Sequence, residues 1–436
     1  MLMVLPFHLL LPSALAPTPI PAVVQLLALK RRLDSLKRAA DSGSAPTAPT
    51  ATKRARAPMK DYSARRKNWA DFYDFLNARE FRRTYGLSHD AFDHVLGLIR
   101  QKIEDTPGGH GGARNGELLE PELKLAVTLR WLRGGAIADI RDAYGPSISQ
   151  IYVHVWRVCD AICDTPTLGC ELPRALDEFE AGAPARLERI GRGFGRFTGM
   201  VVTCVIGAID GVQIRIKQPA GPEARMPEVL NPGVYVDRES SACINVQAAA
   251  DSRGAIVWFS AETPGSTHDH QAFSITGLFR RLQRLAAAAG FGLCLVGDAA
   301  YTAALFMWTP IRNAAAGTAE DNANYAQTKC RQAVERAFGM LERRWGVLWR
   351  RLEVRLAHVR VVIDTIVRLH NVCVAFNVPP ADETDPAAFV PLKRISDEVR
   401  RQGHRADRED RRLQDYIVKI LKEEGFRRPA GGRAPS

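Results

Sequence analysis

Three carboxylates, far apart along the chain, stand where strands and a helix would present them together. Asp210 closes the apolar run Val201-Val-Thr-Cys-Val-Ile-Gly-Ala-Ile209 and is followed by Gly211. Asp298 closes a second such run, Leu293-Cys-Leu-Val-Gly297, and is followed by Ala-Ala-Tyr301. Glu335 lies in the helical pattern Arg331-Gln-Ala-Val-Glu335-Arg-Ala-Phe338-Gly339. Acids of this kind suit phosphodiester cleavage, which needs an activated water and a stabilised leaving oxygen. Two divalent ions roughly 3.5–4 Å apart supply both, and hard ions prefer carboxylate oxygens. We therefore expect Asp210, Asp298 and Glu335 to be catalytic and to hold Mg²⁺ (or Mn²⁺), two ions in all, with Asp210 between them. Each acid also has a plainer explanation: Asp210 in a turn, Asp298 as a helix cap, and Glu335 paired with Arg331, worth roughly 0.3–0.5 kcal/mol. The order strand-Asp, strand-Asp, helix-Glu is what favours a site.

The elements that must position these acids fall between 199 and 378. The pattern predicts strands at 201–209, 242–250, 255–260 and 293–297, a helix at 271–289, and helices at 303–307, 326–349 and 359–376. That order makes a mixed α/β sheet. On the Glu335 helix, Val334, Phe338, Leu341 and Trp345 form an apolar stripe facing the sheet. Arg331 and Glu335 fall on an adjacent face, and Gly339 would let a phosphate backbone come close. Arg331, Arg343 and Arg344 are then candidates to grip DNA phosphates. His268-Asp269 reads either as the cap of the helix starting near Gln271 or as support for the metals. His370-Asn371 reads as a satisfied core pair.

Upstream, 61–165 is helical and is expected to form an all-α, helix-turn-helix-like domain. Trp69, Phe72, Phe75 and Leu76 recur at helical spacing, as do Phe92, Val95, Leu96 and Ile99. Helices at 120–133, 136–144 and 147–160 are punctuated by Gly134-Gly135 and Gly145-Pro146. Ser147 would cap a recognition helix on which Gln150, Tyr152 and His154 read DNA; an ordinary helical bundle fits the same pattern. The segment 164–198 reads as a polar connector. Its Gly191-Arg-Gly193-Phe-Gly195 is no dinucleotide loop, because it precedes the first strand. Residues 1–60 read as a disordered basic segment with import-like clusters at Lys30-Arg31-Arg32 and Lys53-Arg54-Ala55-Arg56. After a linker at 379–391, residues 392–425 read as a charged C-terminal helix with Leu413, Tyr416, Ile417, Ile420 and Leu421 on one side.

Lys and Arg total 60 against 48 Asp and Glu, a net charge of +12, which favours a polyanionic partner. We expect double-stranded DNA, a homo-oligomer and no membrane partner, since no apolar stretch reaches the ~20 residues of a span. The eight cysteines show no C-x-x-C pair and read as reduced and intracellular. Serine hydrolysis lacks its G-x-S-x-G elbow.

At these residues the chain resembles the DDE-type transposases of the PIF/Harbinger superfamily and their domesticated nuclease relatives. The pieces are Gly207-Ala-Ile-Asp210-Gly211, Cys243-Ile-Asn245-Val-Gln247, Pro264-Gly-Ser-Thr-His268-Asp269, Gly297-Asp298-Ala-Ala-Tyr301, Arg331 to Gly339, and Leu369-His370-Asn371. The resemblance implies an RNase H-like catalytic domain, Mg²⁺-dependent strand cleavage and joining, and the triad Asp210, Asp298 and Glu335. It also implies action in the nucleus, often with a Myb-like DNA-binding partner. The chain departs from the family at Arg238-Glu239-Ser240, where a basic pair and glycine are usual, and at Thr302, where proline commonly follows the tyrosine. A catalytically silent DNA-binding protein that kept the fold is the rival expectation.

Overall fold

The computed structural model describes residues 68–105, 119–172, 176, 182–221, 223–225, 232–236, 241–289, 292–380, 393–394 and 410–429. The expected disordered segment and its import clusters lie outside them.

Six short helices open the described chain: α1 (Trp69–Tyr73), α2 (Ala78–Tyr85), α3 (His89–Ile103), α4 (Pro121–Leu132), α5 (Ile137–Tyr144) and α6 (Ile148–Cys163). Their ends follow local chemistry. Ser147 and Gln150 form a reciprocal capping box at the start of α6, and Gly145 takes a left-handed φ of 84° to end α5. Phe92, Val95, Leu96 and Ile99 are buried as their spacing requires, whereas Phe75 is 82% exposed. It falls in the break between α1 and α2, so the helical spacing that counted it inward does not run through it. Among the described residues, no helix is long and apolar enough to cross a membrane.

The segment expected as a connector carries a helix, α7 (Ala183–Gly195), packed on the first strand. Its glycines are packing residues: a β-carbon on Gly191 would run into the Thr203 carbonyl. The strands follow as β1 (Val205–Arg215), β2 (Cys243–Ala250) and β3 (Ile256–Pro264). Two helices, α8 (Asp269–Ser274) and α9 (Gly277–Ala289), stand where one was expected. Then come β4 (Cys294–Val296), β5 (Met307–Trp308) in place of an expected helix, α10 (Ala319–Arg344) and α11 (Leu356–Ala375).

The sheet order is β3-β2-β1-β4-β5, with β1, β2 and β3 antiparallel and β4 and β5 parallel to β1. β1 is therefore central, and its eleven residues are buried but for the last. α10 lies across β1, β2 and β4. Its stripe Val334, Phe338, Leu341 and Trp345 is at most 7% exposed, each such side chain contributing roughly 1.5–3 kcal/mol.

The C-terminal part is built into this unit. β6 (Lys393–Arg394) pairs with Val212 and Gln213 of β1, and α12 (Arg412–Glu423) is much shorter than the helix expected over 392–425. α12 buries Leu413, Ile417 and Leu421 against α10 and β5. Gln414 donates to the Thr309 carbonyl at 2.8 Å, and Arg428 pairs with Asp321 at 3.3 Å.

Candidate active site

Register brings the first two acids together. Ala208 of β1 pairs in parallel with Val296 of β4. Asp210, still within β1, and Asp298, just beyond the end of β4, lie two residues further along each chain. Both are fully buried. Asp210 is not at a strand end, as its run suggested. β1 continues to Arg215 because Val212 and Ile214 extend the apolar alternation; what stops near Asp210 is β4, its partner. The open edge of β1 beyond that point is taken by β6.

The polar contacts are few. The Gly211 amide donates to Asp210 Oδ1 at 2.9 Å, and the Ala300 amide to Asp298 Oδ1 at 2.9 Å. Asp210 Oδ2 is buried with no hydrogen-bond partner. Burial, then the charges of Asp298 and Asp269, hold the Asp210 carboxyl well above its usual range, against the lowering influence of Arg331.

Asp269 is the acid whose role the sequence left open. It does not cap α8: His268 occupies the N-cap position and no side chain caps that end. Instead the carboxylate turns inward, fully buried. Its Oδ1 accepts from Gln247 Nε2 at 2.6 Å and Asn245 Nδ2 at 3.2 Å, and its Oδ2 has no partner. Burial and the nearby Asp298 push its pKa up to about 7. Gln247 also accepts from the Tyr301 hydroxyl at 2.5 Å. Asn245, Gln247 and Tyr301 were given no role from sequence. The available signal was two polar residues spaced by two in the otherwise apolar strand Cys243-Ile-Asn-Val-Gln247-Ala-Ala-Ala250, since a buried polar group needs a partner.

Glu335 sits on α10, its side chain 26% exposed and ion-paired with Arg331 one turn earlier. Among the described residues, no group of three or more His, Cys, Asp or Glu could hold a metal ion. The structure thus sets Asp210, Asp298 and Asp269 within electrostatic reach of one another and turns Glu335 towards Arg331. The unpartnered Asp210 Oδ2 still fits a cation: a buried carboxylate oxygen without a donor calls for a proton or a metal, and carboxylates are the donors hard divalent ions take.

The DNA-contact candidates separate by exposure. Arg343 is exposed, its guanidinium donating to the Gly339 carbonyl at 3.1 Å, and the space above Gly339 is open but for that side chain. Arg344 is a correction: it is 2% exposed and donates to the Gly86 and Val378 carbonyls at 2.8 and 2.6 Å. It bolts the helical region to α10 and faces no phosphate. Gln150 accepts from the Ser147 amide at 3.0 Å in the capping box, and His154 is buried, so the α6 face they were expected to present is partly spent on folding. Tyr152 is 45% exposed. α6 also packs against α11, with Trp156 and His358 rings 4.2 Å apart. His370 and Asn371 hold core contacts, though not the fully satisfied pair expected: His370 Nε2 lies 2.8 Å from the Gly254 carbonyl while Nδ1 has no partner, and Asn371 bonds the Ile256 amide and carbonyl at 2.7 and 2.8 Å.

Residues 209–371 match the family model described as DDE superfamily endonuclease. The matched span contains all the acids above and the His370-Asn371 pair. No curated protein and no solved structure matches the chain. Over this span, less than half of its length, the chain is similar to DDE endonucleases, which generally use divalent metal ions. The mixed sheet with its flanking helices is consistent with a nuclease of that kind.

Proposed function

We propose that the chain is a metal-dependent DNA endonuclease of the Harbinger transposase type, cleaving and joining strands of double-stranded DNA. The observation that carries this reading is that Asp210, inside β1, and Asp298, two residues past the end of the parallel strand β4, are both buried, with Asp210 Oδ2 lacking a partner. These two carboxylates would hold Mg²⁺ or Mn²⁺, two ions in the full assembly. When bound, such ions activate water and stabilise the departing oxygen. The chain's own work is to fix and shield both acids. Glu335 would have to leave Arg331 to join them. Exposed Arg343, and Arg331 if released, would meet phosphate. Nuclear action, a homo-oligomer and a Myb-like partner belong to the same reading and rest on the sequence resemblance alone.

One observation favours the rival, a DNA-binding protein without cleavage: the third acid is paired with an arginine, and among the described residues no three-acid group is assembled. Nicking of supercoiled DNA by the full-length protein separates the two. Cleavage that requires Mg²⁺ and disappears in Asp298→Asn is the expected result. Equal nicking by the variant, or none by the wild type with any divalent ion, sinks the enzyme.

A further inference from the structure

Two glycines flank the paired acids, Gly211 just after Asp210 and Gly297 just before Asp298, and one buried network presses on both. A β-carbon on Gly211 would run into the Asp269 carboxylate and the Gln247 amide. A β-carbon on Gly297 would lie 2.8 Å from the Tyr301 ring. Asp269 and Tyr301 are joined through Gln247. The Tyr301 hydroxyl donates to Gln247 Oε1 at 2.5 Å, and Gln247 Nε2 donates to Asp269 Oδ1 at 2.6 Å. Gln247 Nε2 also reaches Asn245 Oδ1 at 2.8 Å, and Asn245 Nδ2 donates to the Thr267 carbonyl at 2.8 Å and to Asp269 Oδ1 at 3.2 Å.

The polarity of this chain has one source. A carboxylate only accepts, so Asp269 draws both amide NH₂ groups towards itself. That turns the Gln247 carbonyl to Tyr301, which must donate. Tyr301 in turn closes the turn that carries Asp298, its amide donating to the Asp298 carbonyl at 3.3 Å. Alternation along β1 sends the Asp210 side chain to the face opposite this network. Asp269 therefore works from beneath the sheet and through its neighbours.

We propose that Asp269 is a positioning residue: through Gln247 and Tyr301 it locks the turn after β4 against Gly211, so that Asp298 is held near Asp210. This rests on the reading of Asp210 and Asp298 as the metal-holding pair. Groups that orient metal-holding side chains typically matter by 10–100-fold in metal affinity.

The test uses the full-length protein and Mn²⁺ alone, followed by electron paramagnetic resonance, with hydrogen exchange of the 298–301 turn as a second readout. Asp269→Asn is expected to weaken Mn²⁺ binding by roughly 10–100-fold and to speed exchange at the turn and at Gly211 while α3 is unchanged. Tyr301→Phe, which removes one hydroxyl and keeps the ring over Gly297, should act in the same direction and less. The double variant Asp269→Asn/Gln247→Glu moves the carboxylate one residue along the same network, where it still accepts from Tyr301. It should recover most of the lost affinity and protection. Mn²⁺ binding and turn exchange like wild type in both single variants overturn the proposal. So does a double variant as weak as Asp269→Asn, which would make Asp269 a direct ligand. Asp210→Asn is the separate control. If it binds Mn²⁺ as the wild type does, the reading of the metal pair fails, and exchange at the turn alone decides whether Asp269 positions it.

Discussion

Two of the buried polar clusters among the described residues differ in charge. At the β2–β3 end, His370 and Asn371 of α11 meet the backbone of Gly254 and Ile256. β3 is an edge strand, and Asn371 bonds its first amide and carbonyl much as another strand would. At the β4 end, Asp210 and Asp269 each keep a buried oxygen with no partner, and their charges repel one another and Asp298. The first cluster lowers the energy of the apo fold. The second raises it, which a protein tolerates where a ligand completes the arrangement. Unmet hydrogen bonds alone do not distinguish the two, since His370 Nδ1 also lacks a partner; charge does, a neutral imidazole and amide in one cluster against crowded carboxylates in the other.

The sharpest way to break the contrast is to neutralise an acid at the carboxylate cluster. Asp210→Asn or Asp298→Asn should reduce Mg²⁺-dependent nicking at least ~10³-fold, about 4 kcal/mol of barrier, while the apo protein keeps or gains thermal stability. A variant that loses activity and stability together would mean that these acids hold the fold, like the other cluster.

At the neutral cluster the expectation reverses. Asn371→Ala strips both partners from the Ile256 backbone, costing about 2–4 kcal/mol, measurable by denaturant unfolding. Nicking per folded molecule should be unchanged. Undiminished stability would show that water replaces the side chain at this edge.

How far these clusters were legible in the sequence follows from what each depends on. Asp210 and Asp298 were found because strand-terminating acids after β-branched runs are a local pattern. That β1 continues past Asp210 was missed, since Gly211 looked like a turn. Its real cause is the Asp269 carboxylate, 58 residues later, which leaves no room for a β-carbon. Asp269 itself was left between a cap and support for the metals, because its partners Asn245 and Gln247 lie on another strand. Arg344 failed for the same reason. Its spacing put it among exposed arginines, and only the folded chain brings the Gly86 and Val378 carbonyls to it. Within the helical region, the caps at Ser147 and Gly145 were readable because they act within four residues. Local chemistry was visible; long-range polar pairing was not.

Metal sharpens the comparison from the other side. Saturating Mg²⁺ should stabilise the wild type by up to about 2.7 kcal/mol at a hundred times its dissociation constant. The gain should vanish in Asp210→Asn and survive in Asn371→Ala. A melting shift that persists in Asp210→Asn would place the ion elsewhere.

Protons offer the gentlest probe, because the clusters respond to them with opposite signs. Burial lowers His370 to about 4, below the ~6.5 of an unfolded imidazole. Its contribution is fully present above pH 6.5 and is lost as pH falls towards 4. Burial and Asp298 raise Asp269 to about 7, above the ~3.9 of an unfolded carboxyl. The native state then binds the extra proton, so stability is gained as pH falls through 7. Between pH 7.5 and 5.5, His370 should cost about 1.4 kcal/mol and Asp269 should return about 2 kcal/mol. Asp210, raised for related reasons, adds to the second sign. In EDTA the wild type should therefore gain stability on acidification over this range. Removing one partner uncovers the other. His370→Gln should steepen the gain on acidification, and Asp269→Asn should diminish it or turn it into a loss, both read by urea unfolding at fixed pH. Parallel profiles for the wild type and both variants would mean that neither group is shifted by burial. The two clusters would then be alike in charge as well as in depth.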